Sequence, residues 1–210
     1  MAGEPDIVFY HAPQSRSIIV QWMLEELGQP FRLHLLNLKK NEHKQPDYLA
    51  INPMGKVPAI THKGVAITEA AAICCFLADT YPESGLAVPV GDPRRGPYLK
   101  WLFFSPSCLE PGIIDRMFSR PDVSPSSAGW GSFDATLDVI TRAVAAGPYL
   151  LGAQFTAADV VIGSSLIWGT MVKVIPEWPE IAAYARRLQE RPALQRVYAR
   201  DAELVALQAA

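Results

Sequence analysis

The segment Asn52-Pro53-Met54-Gly55-Lys56-Val57-Pro58-Ala59-Ile60, followed within ten residues by Ile67-Thr68-Glu69-Ala70 and an apolar run, carries most of what this chain says about its fold. Pro58 cannot donate a ladder hydrogen bond, so it belongs at the start or edge of a strand, which Ala59-Ile60 continues. A cis Val57-Pro58 bond would turn the N–H and C=O of Val57 outward, where an extended ligand could pair with them like an added strand. Glu69 follows a hairpin turn at Lys63-Gly64 and precedes Ala70-Ala71-Ala72-Ile73. That places it at a helix N-terminus, whose free N–H groups attract an anion. Strand-edge backbone, helix N–H groups and one carboxylate suit a ligand with an amide, a carboxylate and an ammonium. An ordinary Gly/Pro turn entering a strand accounts for residues 52–60 alone, but not for Glu69 at this spacing.

Working outward, Asp6 to Tyr10 reads as a buried strand and Ser17 to Leu27 as a helix ended by Gly28. Phe31 to Leu38 reads as a second strand. Ala59 to His62 and Val65 to Ile67 read as a hairpin, and Glu69 to Tyr81 as a helix. The order is β-α-β, a short connecting helix, then β-β-α, which resembles the thioredoxin-like plan. Prolines and glycines from Pro82 to Pro97 mark a surface linker. The rest lacks strand alternation and reads as helices over Arg94 to Phe118, Phe133 to Ala146, Ala157 to Val174, Trp178 to Arg191, and a short one from Leu194. The expected domains are therefore 1–81, α/β and thioredoxin-like; a linker, 82–93; and 94–210, all-α. Ser119 to Gly131, rich in Ser, Pro and Gly, is the expected mobile loop.

The composition agrees with this plan. The chain has 210 residues, 50% of them hydrophobic, and a net charge of −2 from 19 basic and 21 acidic residues. That is ample for a core and lacks the charge excess expected of a nucleic-acid or anionic-membrane binder. The run Lys39-Lys40-Asn41-Glu42-His43-Lys44 reads as a solvated loop. No signal-peptide pattern opens the chain and no apolar run approaches spanning length, so the cytoplasm is the expected address. Three cysteines form neither a disulfide framework nor a Cys-x-x-Cys motif; Cys74, Cys75 and Cys108 read as small apolar core residues. The four histidines lack metal-ligand spacing, and no metal is expected.

With Val57, Pro58 and Glu69 at these positions, the chain resembles the glutathione transferase family over essentially its whole length, in a serine- or tyrosine-type cytosolic, bacterial-type class. The resemblance implies a glutathione transferase fold, in which the Val57-Pro58 bond is cis, the Val57 backbone pairs with the cysteinyl part of glutathione, and Glu69 holds the γ-glutamyl ammonium. The family more often has Ser after that acid; with Ala70 here, only a backbone N–H is left for the γ-glutamyl carboxylate. Lys56, or a lysine of the 39–44 run, is implied for the glycyl carboxylate. Thr156 and Asp159 in Phe155-Thr156-Ala157-Ala158-Asp159 form a capping box, with Phe155 as its staple. The same box opens the buried helix of the family's second domain. Loss of either partner is expected to cost about 1 kcal/mol or somewhat more without touching turnover per folded molecule.

The activity implied is conjugation of the glutathione thiolate to a hydrophobic electrophile, a detoxification chemistry, by a homodimer. A non-catalytic glutathione-binding scaffold, and a glutathione-dependent reductase, dehalogenase or isomerase, are the alternatives. A free cysteine thiol titrates near pKa ~8.5, and the thiolate is the nucleophile. Lowering that value by about two units requires roughly 2.7 kcal/mol of preferential stabilisation of the anion. One hydroxyl donor aided by a helix N-terminus is of that size. The loop Tyr10-His11-Ala12-Pro13-Gln14-Ser15-Arg16-Ser17 holds the candidates. Counted back from Gly28, Ser15 leads, Ser17 follows with a plain N-cap as its other reading, and Tyr10 stands where tyrosine-type members carry theirs. The loop lacks the cysteine of the beta class. For the electrophile, Tyr98, Trp101, Phe104 and Cys108 can share a helix face, and Trp168 could join from the buried helix.

Overall fold

The computed structural model describes residues 5–120, 123–124 and 127–209. Contacts divide the chain into two compact units, Met1–Ser84 with Pro192–Ala210, and Gly85–Arg191. Of the expected loop over 119–131, residues 121, 122, 125 and 126 lie outside the described residues.

The first unit is built on a sheet of order β2-β1-β3-β4, from β1 (Ile7–His11), β2 (Phe31–Leu35), β3 (Ala59–His62) and β4 (Val65–Thr68). β2 runs parallel to β1, whereas β3 is antiparallel to both β1 and β4. Ile7, Phe9 and His11 are buried and alternate with half-buried Val8 and Tyr10, so the two sets point to opposite faces. Helix α1 (Ser17–Leu27) covers the sheet with Ile19, Val20, Trp22, Met23 and Leu24, and ends as expected: Gly28 takes φ 71° and its N–H closes on the Leu24 carbonyl at 3.1 Å. A one-turn helix α2 (Pro46–Leu49) precedes β3, and α3 (Ala70–Thr80) follows β4.

The last helix, α9 (Pro192–Ala209), has 18 residues where the sequence suggested a short element. It packs on α1 within the first unit, whereas the sequence reading grouped it with the helical domain. Arg196 reaches Glu25 at 2.8 Å, and Gln208 donates to the Leu36 carbonyl at 3.0 Å.

The second unit contains α4 (Arg95–Phe104), α5 (Glu110–Met117), α6 (Phe133–Ala145), α7 (Ala157–Met171) and α8 (Pro179–Gln189). The expected continuous helix 94–118 is interrupted by a π-helical turn at Ser105–Leu109. Pro106 lacks the N–H of an α-helical bond, and the widened turn absorbs it. Ser105 also bonds Ser165 of α7, hydroxyl to hydroxyl, at 2.7 Å.

The capping box at the start of α7 is formed. Buried Asp159 does more than cap. Its carboxylate accepts from the Thr156 N–H (2.9 Å) and hydroxyl (3.2 Å), the Leu150 N–H (2.9 Å) and the Tyr184 hydroxyl (2.8 Å). Burial pushes its pKa up while these donors pull it down. The expected cost of about 1 kcal/mol therefore suits Thr156 but understates Asp159, whose loss would strand several buried donors.

Candidate active site

One row of residues across the sheet assembles the site. Tyr10 of β1 pairs with Ala59 of β3, and Ala59 pairs with Thr68 of β4. Because β3 is antiparallel to both neighbours, the exits of β1 and β4 lie beside the start of β3. The Ser15 loop leaves β1, Val57-Pro58 leads directly into Ala59, and Glu69 follows Thr68. The two segments that flank the β3–β4 hairpin thus meet a loop from far upstream at one end of the sheet.

The Val57-Pro58 peptide bond is cis. Buried Asn52 shapes the approach to it, donating from Nδ2 to the Lys56 carbonyl at 2.8 Å and accepting the Met54 N–H at 3.1 Å through Oδ1. The Tyr48 hydroxyl donates to the same Lys56 carbonyl. Burial pushes the Tyr48 pKa up to about 12, which keeps that donor protonated. Gly55 is required here: its φ is 57°, and a Cβ would stand 2.8 Å from the His43 carbonyl oxygen. Among the described residues none hydrogen-bonds to the Val57 backbone, which leaves its N–H and C=O open to a strand-like ligand. Lys56 is exposed.

Glu69 adopts φ 69° and ψ 116°, a conformation that costs a non-glycine residue about 1–3 kcal/mol and concentrates at functional sites. Its side chain is exposed and does not cap α3. The first-turn N–H groups of α3, Ala70 onward, therefore remain available for an anion, with a carboxylate beside them for a cation.

In the loop after β1, the structure separates the three hydroxyl candidates. Ser15 is half-buried and donates to the Ala12 carbonyl at 2.7 Å, while its Oγ accepts the Ser17 N–H at 3.2 Å. Ser17 is fully enclosed. Its Oγ lies 2.8 Å from the Ala12 carbonyl, 2.8 Å from His11 Nδ1, 2.8 Å from Ser15 Oγ and 3.1 Å from the Ala12 N–H. A hydroxyl has one proton and two acceptor sites, so Ser17 has no capacity left for a ligand. It starts α1 without serving as a simple N-cap, because Arg16 holds that position. Tyr10 points to the other face of the sheet and packs on the Leu36–Tyr48–Ala59 cluster, its ring 4.9 Å from His34 and 5.6 Å from Tyr48.

Sequence reasoning passed over His11 and Asp201. His11 is fully buried at the end of β1, and its Nε2, which lacks a hydrogen-bond partner, lies 3.8 Å from Asp201 Oδ1 on α9. Burial, assisted by the Arg200 charge, lowers the His11 pKa to about 4, so the ring is neutral at pH 7. Asp201 also accepts the Gln14 N–H at 3.2 Å, and its own pKa is raised by burial. The alternation Ile7, Phe9, His11 signalled that the histidine faces the core; nothing local signalled Asp201.

Of the electrophile candidates on the helical unit, Tyr98 and Trp101 are buried in its core, whereas Phe104, Cys108 and Trp168 keep part of their surface exposed. Trp101 and Phe104 pack edge to face at 5.4 Å. Cys74 is fully buried, which pushes its thiol pKa up and makes it a poor nucleophile.

Known proteins resemble this chain over most of its length. Family models for the glutathione S-transferase N-terminal and C-terminal domains match residues 16–80 and 111–200. The glutathione S-transferase GstA of Escherichia coli O157:H7 is 31% identical over 191 residues, covering 89% of this chain and 94% of that protein. A glutathione transferase of Methylococcus capsulatus superposes with a TM-score of 0.79 at 30% identity, over 93% of this chain and 98% of the other. A sphingomonad glutathione S-transferase solved with glutathione gives a TM-score of 0.77 at 28% identity, over the same shares of 93% and 98%. Two domain models and relatives alike over most of their length thus converge on one assignment, and the chain belongs to the glutathione S-transferase family of enzymes.

Proposed function

We propose that this protein is a glutathione transferase in which Ser15 stabilises the glutathione thiolate for attack on a hydrophobic electrophile. The observation that carries the reading is the row Tyr10–Ala59–Thr68, which brings the Ser15 loop, the free Val57 backbone and Glu69 to one end of the sheet. Val57 pairs with the cysteinyl unit, Glu69 meets the γ-glutamyl ammonium, the Ala70 N–H and the dipole of α3 receive the γ-glutamyl carboxylate, and Lys56 is within the same segment for the glycyl carboxylate. Ser15 is preferred over Ser17 because Ser17 is enclosed and saturated, and over Tyr10 because that ring serves the opposite face. Of the electrophile candidates on the helical unit, Phe104, Cys108 and Trp168 retain surface and are the side chains open to an apolar ligand. The active form is a cytoplasmic homodimer, a reading to which exposed Met54 and Val65 lend apolar surface on the glutathione-binding unit.

The test is an absorbance titration of bound glutathione near 240 nm, where the thiolate absorbs. A thiolate signal at neutral pH is expected, and Ser15→Ala should raise its midpoint by about one to two units, lowering turnover at pH 7 by about 3- to 25-fold from a wild-type midpoint of ~6.5. Tight binding with no thiolate signal would establish a non-catalytic binder instead. An unchanged midpoint in Ser15→Ala would remove Ser15 from the role.

A further inference from the structure

We propose that His11 is a positioning residue for thiol activation: its Nδ1–H fills the last acceptor site on Ser17 and so leaves the Ser15 proton free for the glutathione thiolate. The inference rests on the Ser15 reading above and deepens it.

Two acceptors inside the loop compete for the Ser15 proton, the Ala12 carbonyl at 2.7 Å and Ser17 Oγ at 2.8 Å. A thiolate receives that proton only if both can do without it. Ser17 Oγ has two acceptor sites, and the Ala12 N–H occupies one of them. When His11 carries its single proton on Nδ1, the 2.8 Å contact to Ser17 fills the second. Ser17 then donates its own proton to the Ala12 carbonyl at 2.8 Å. Both competitors are satisfied, and the Ser15 hydroxyl proton can rotate outward without stranding a buried acceptor, while its oxygen keeps the Ser17 N–H. With the proton on Nε2 the order inverts: Nδ1 draws the Ser17 proton, the Ala12 carbonyl depends on Ser15, and turning Ser15 toward a ligand costs that bond.

The surroundings favour the Nδ1–H form. Nε2 is buried without a hydrogen-bond partner, and a buried N–H left unpaired is rarer in native proteins than an unfilled acceptor. Asp201 stands at 3.8 Å, beyond hydrogen-bond reach of Nε2, and its Oδ1 is engaged by the Gln14 N–H. Arg200 and Asp201 are the charged residues recorded against the ring from α9; α1 presents the neutral Ser17 hydroxyl, and β1 the Phe9 ring at 5.2 Å. The low pKa of His11 keeps the ring neutral, so that one nitrogen only is protonated throughout the working pH range.

The experiment compares His11→Phe, which keeps a ring of similar size without a donor, with His11→Asn, whose Nδ2–H can stand in for Nδ1–H. In His11→Phe the bound-thiolate midpoint should rise by about half a unit to one unit and kcat at neutral pH should fall about 1.5- to 3-fold, with the KM for glutathione within about twofold. His11→Asn should recover most of both. Nitrogen-15 spectra of the glutathione-bound wild type should show His11 protonated at Nδ1 and bare at Nε2, a measurement that does not depend on any variant folding. An Nε2–H tautomer overturns the proposal, as does a folded His11→Phe with an unchanged midpoint, or equal defects in the two variants. If Ser15→Ala shifts the midpoint and His11→Phe does not, only this inference fails. If Ser15→Ala itself leaves the midpoint unchanged, the reading beneath it fails.

Discussion

Buried Asn52 shows how a single side chain shapes the ligand-facing backbone. It binds Lys56 and Met54 simultaneously, and thereby fixes the segment that delivers Val57 to the sheet edge. Replacement by Ala removes two hydrogen bonds in a buried position, a loss of about 2 kcal/mol. The loosened segment should bind glutathione several-fold more weakly, with kcat retained at saturation because Ser15, the proposed donor to the thiolate, lies on another loop. Steady-state kinetics over a range of glutathione concentrations checks the split, and thermal unfolding checks the stability. The pairing of Val57-Pro58 with Glu69 was legible in sequence from the restricted geometry of proline and from the place of the acid just before an apolar helical run. Asn52 was not, since its role is visible only when the turn closes on itself.

Among the elements, α7 depends on its first turn. Thr156 and Asp159 look like equal halves of one motif in sequence, yet they are unequal in the fold. Asp159 also holds Leu150, nine residues upstream, and Tyr184 of α8, so it ties three segments together. Thr156→Ala should cost about 1 kcal/mol, and Asp159→Ala about 3 kcal/mol or more, since buried donors are left without an acceptor. Chemical denaturation of the two variants in parallel would test the inequality, with glutathione turnover per folded molecule unchanged in both. The π-helical turn at Ser105–Leu109 makes a related point: Pro106 lacks the N–H of an α-helical bond, and the interruption it causes is tied to α7 by the Ser105–Ser165 hydroxyl pair.

For the molecule as a whole, chain order and compactness part company at α9. Leu194, Val197 and Leu204 are buried, and each such side chain is worth about 1.5–3 kcal/mol by area. That sum is comparable with the total stability of an ordinary domain. Deletion of 192–210 should therefore lower the melting temperature by about 10 °C or more and weaken glutathione binding, even though it removes none of the residues proposed to touch glutathione. Differential scanning calorimetry and a glutathione binding isotherm on the shortened chain measure both effects. The same helix brings Arg200 and Asp201 to His11, so the glutathione-binding unit is completed by residues from the far end of the sequence.

By itself the sequence determined the thioredoxin-like order of elements, the proline at the entry to β3, the acid at the start of α3 and the capping box of α7. Each of these follows from local rules: proline and glycine restrict φ, caps satisfy helix ends, and hydrophobic periodicity chooses helix or strand. Only the tertiary structure decided which hydroxyl is open, that Ser17 is saturated, that His11 is enclosed, and that α9 closes the first unit. Those outcomes depend on the competition for a few protons and on burial between segments nearly 190 residues apart, and neither has a local signature in the chain.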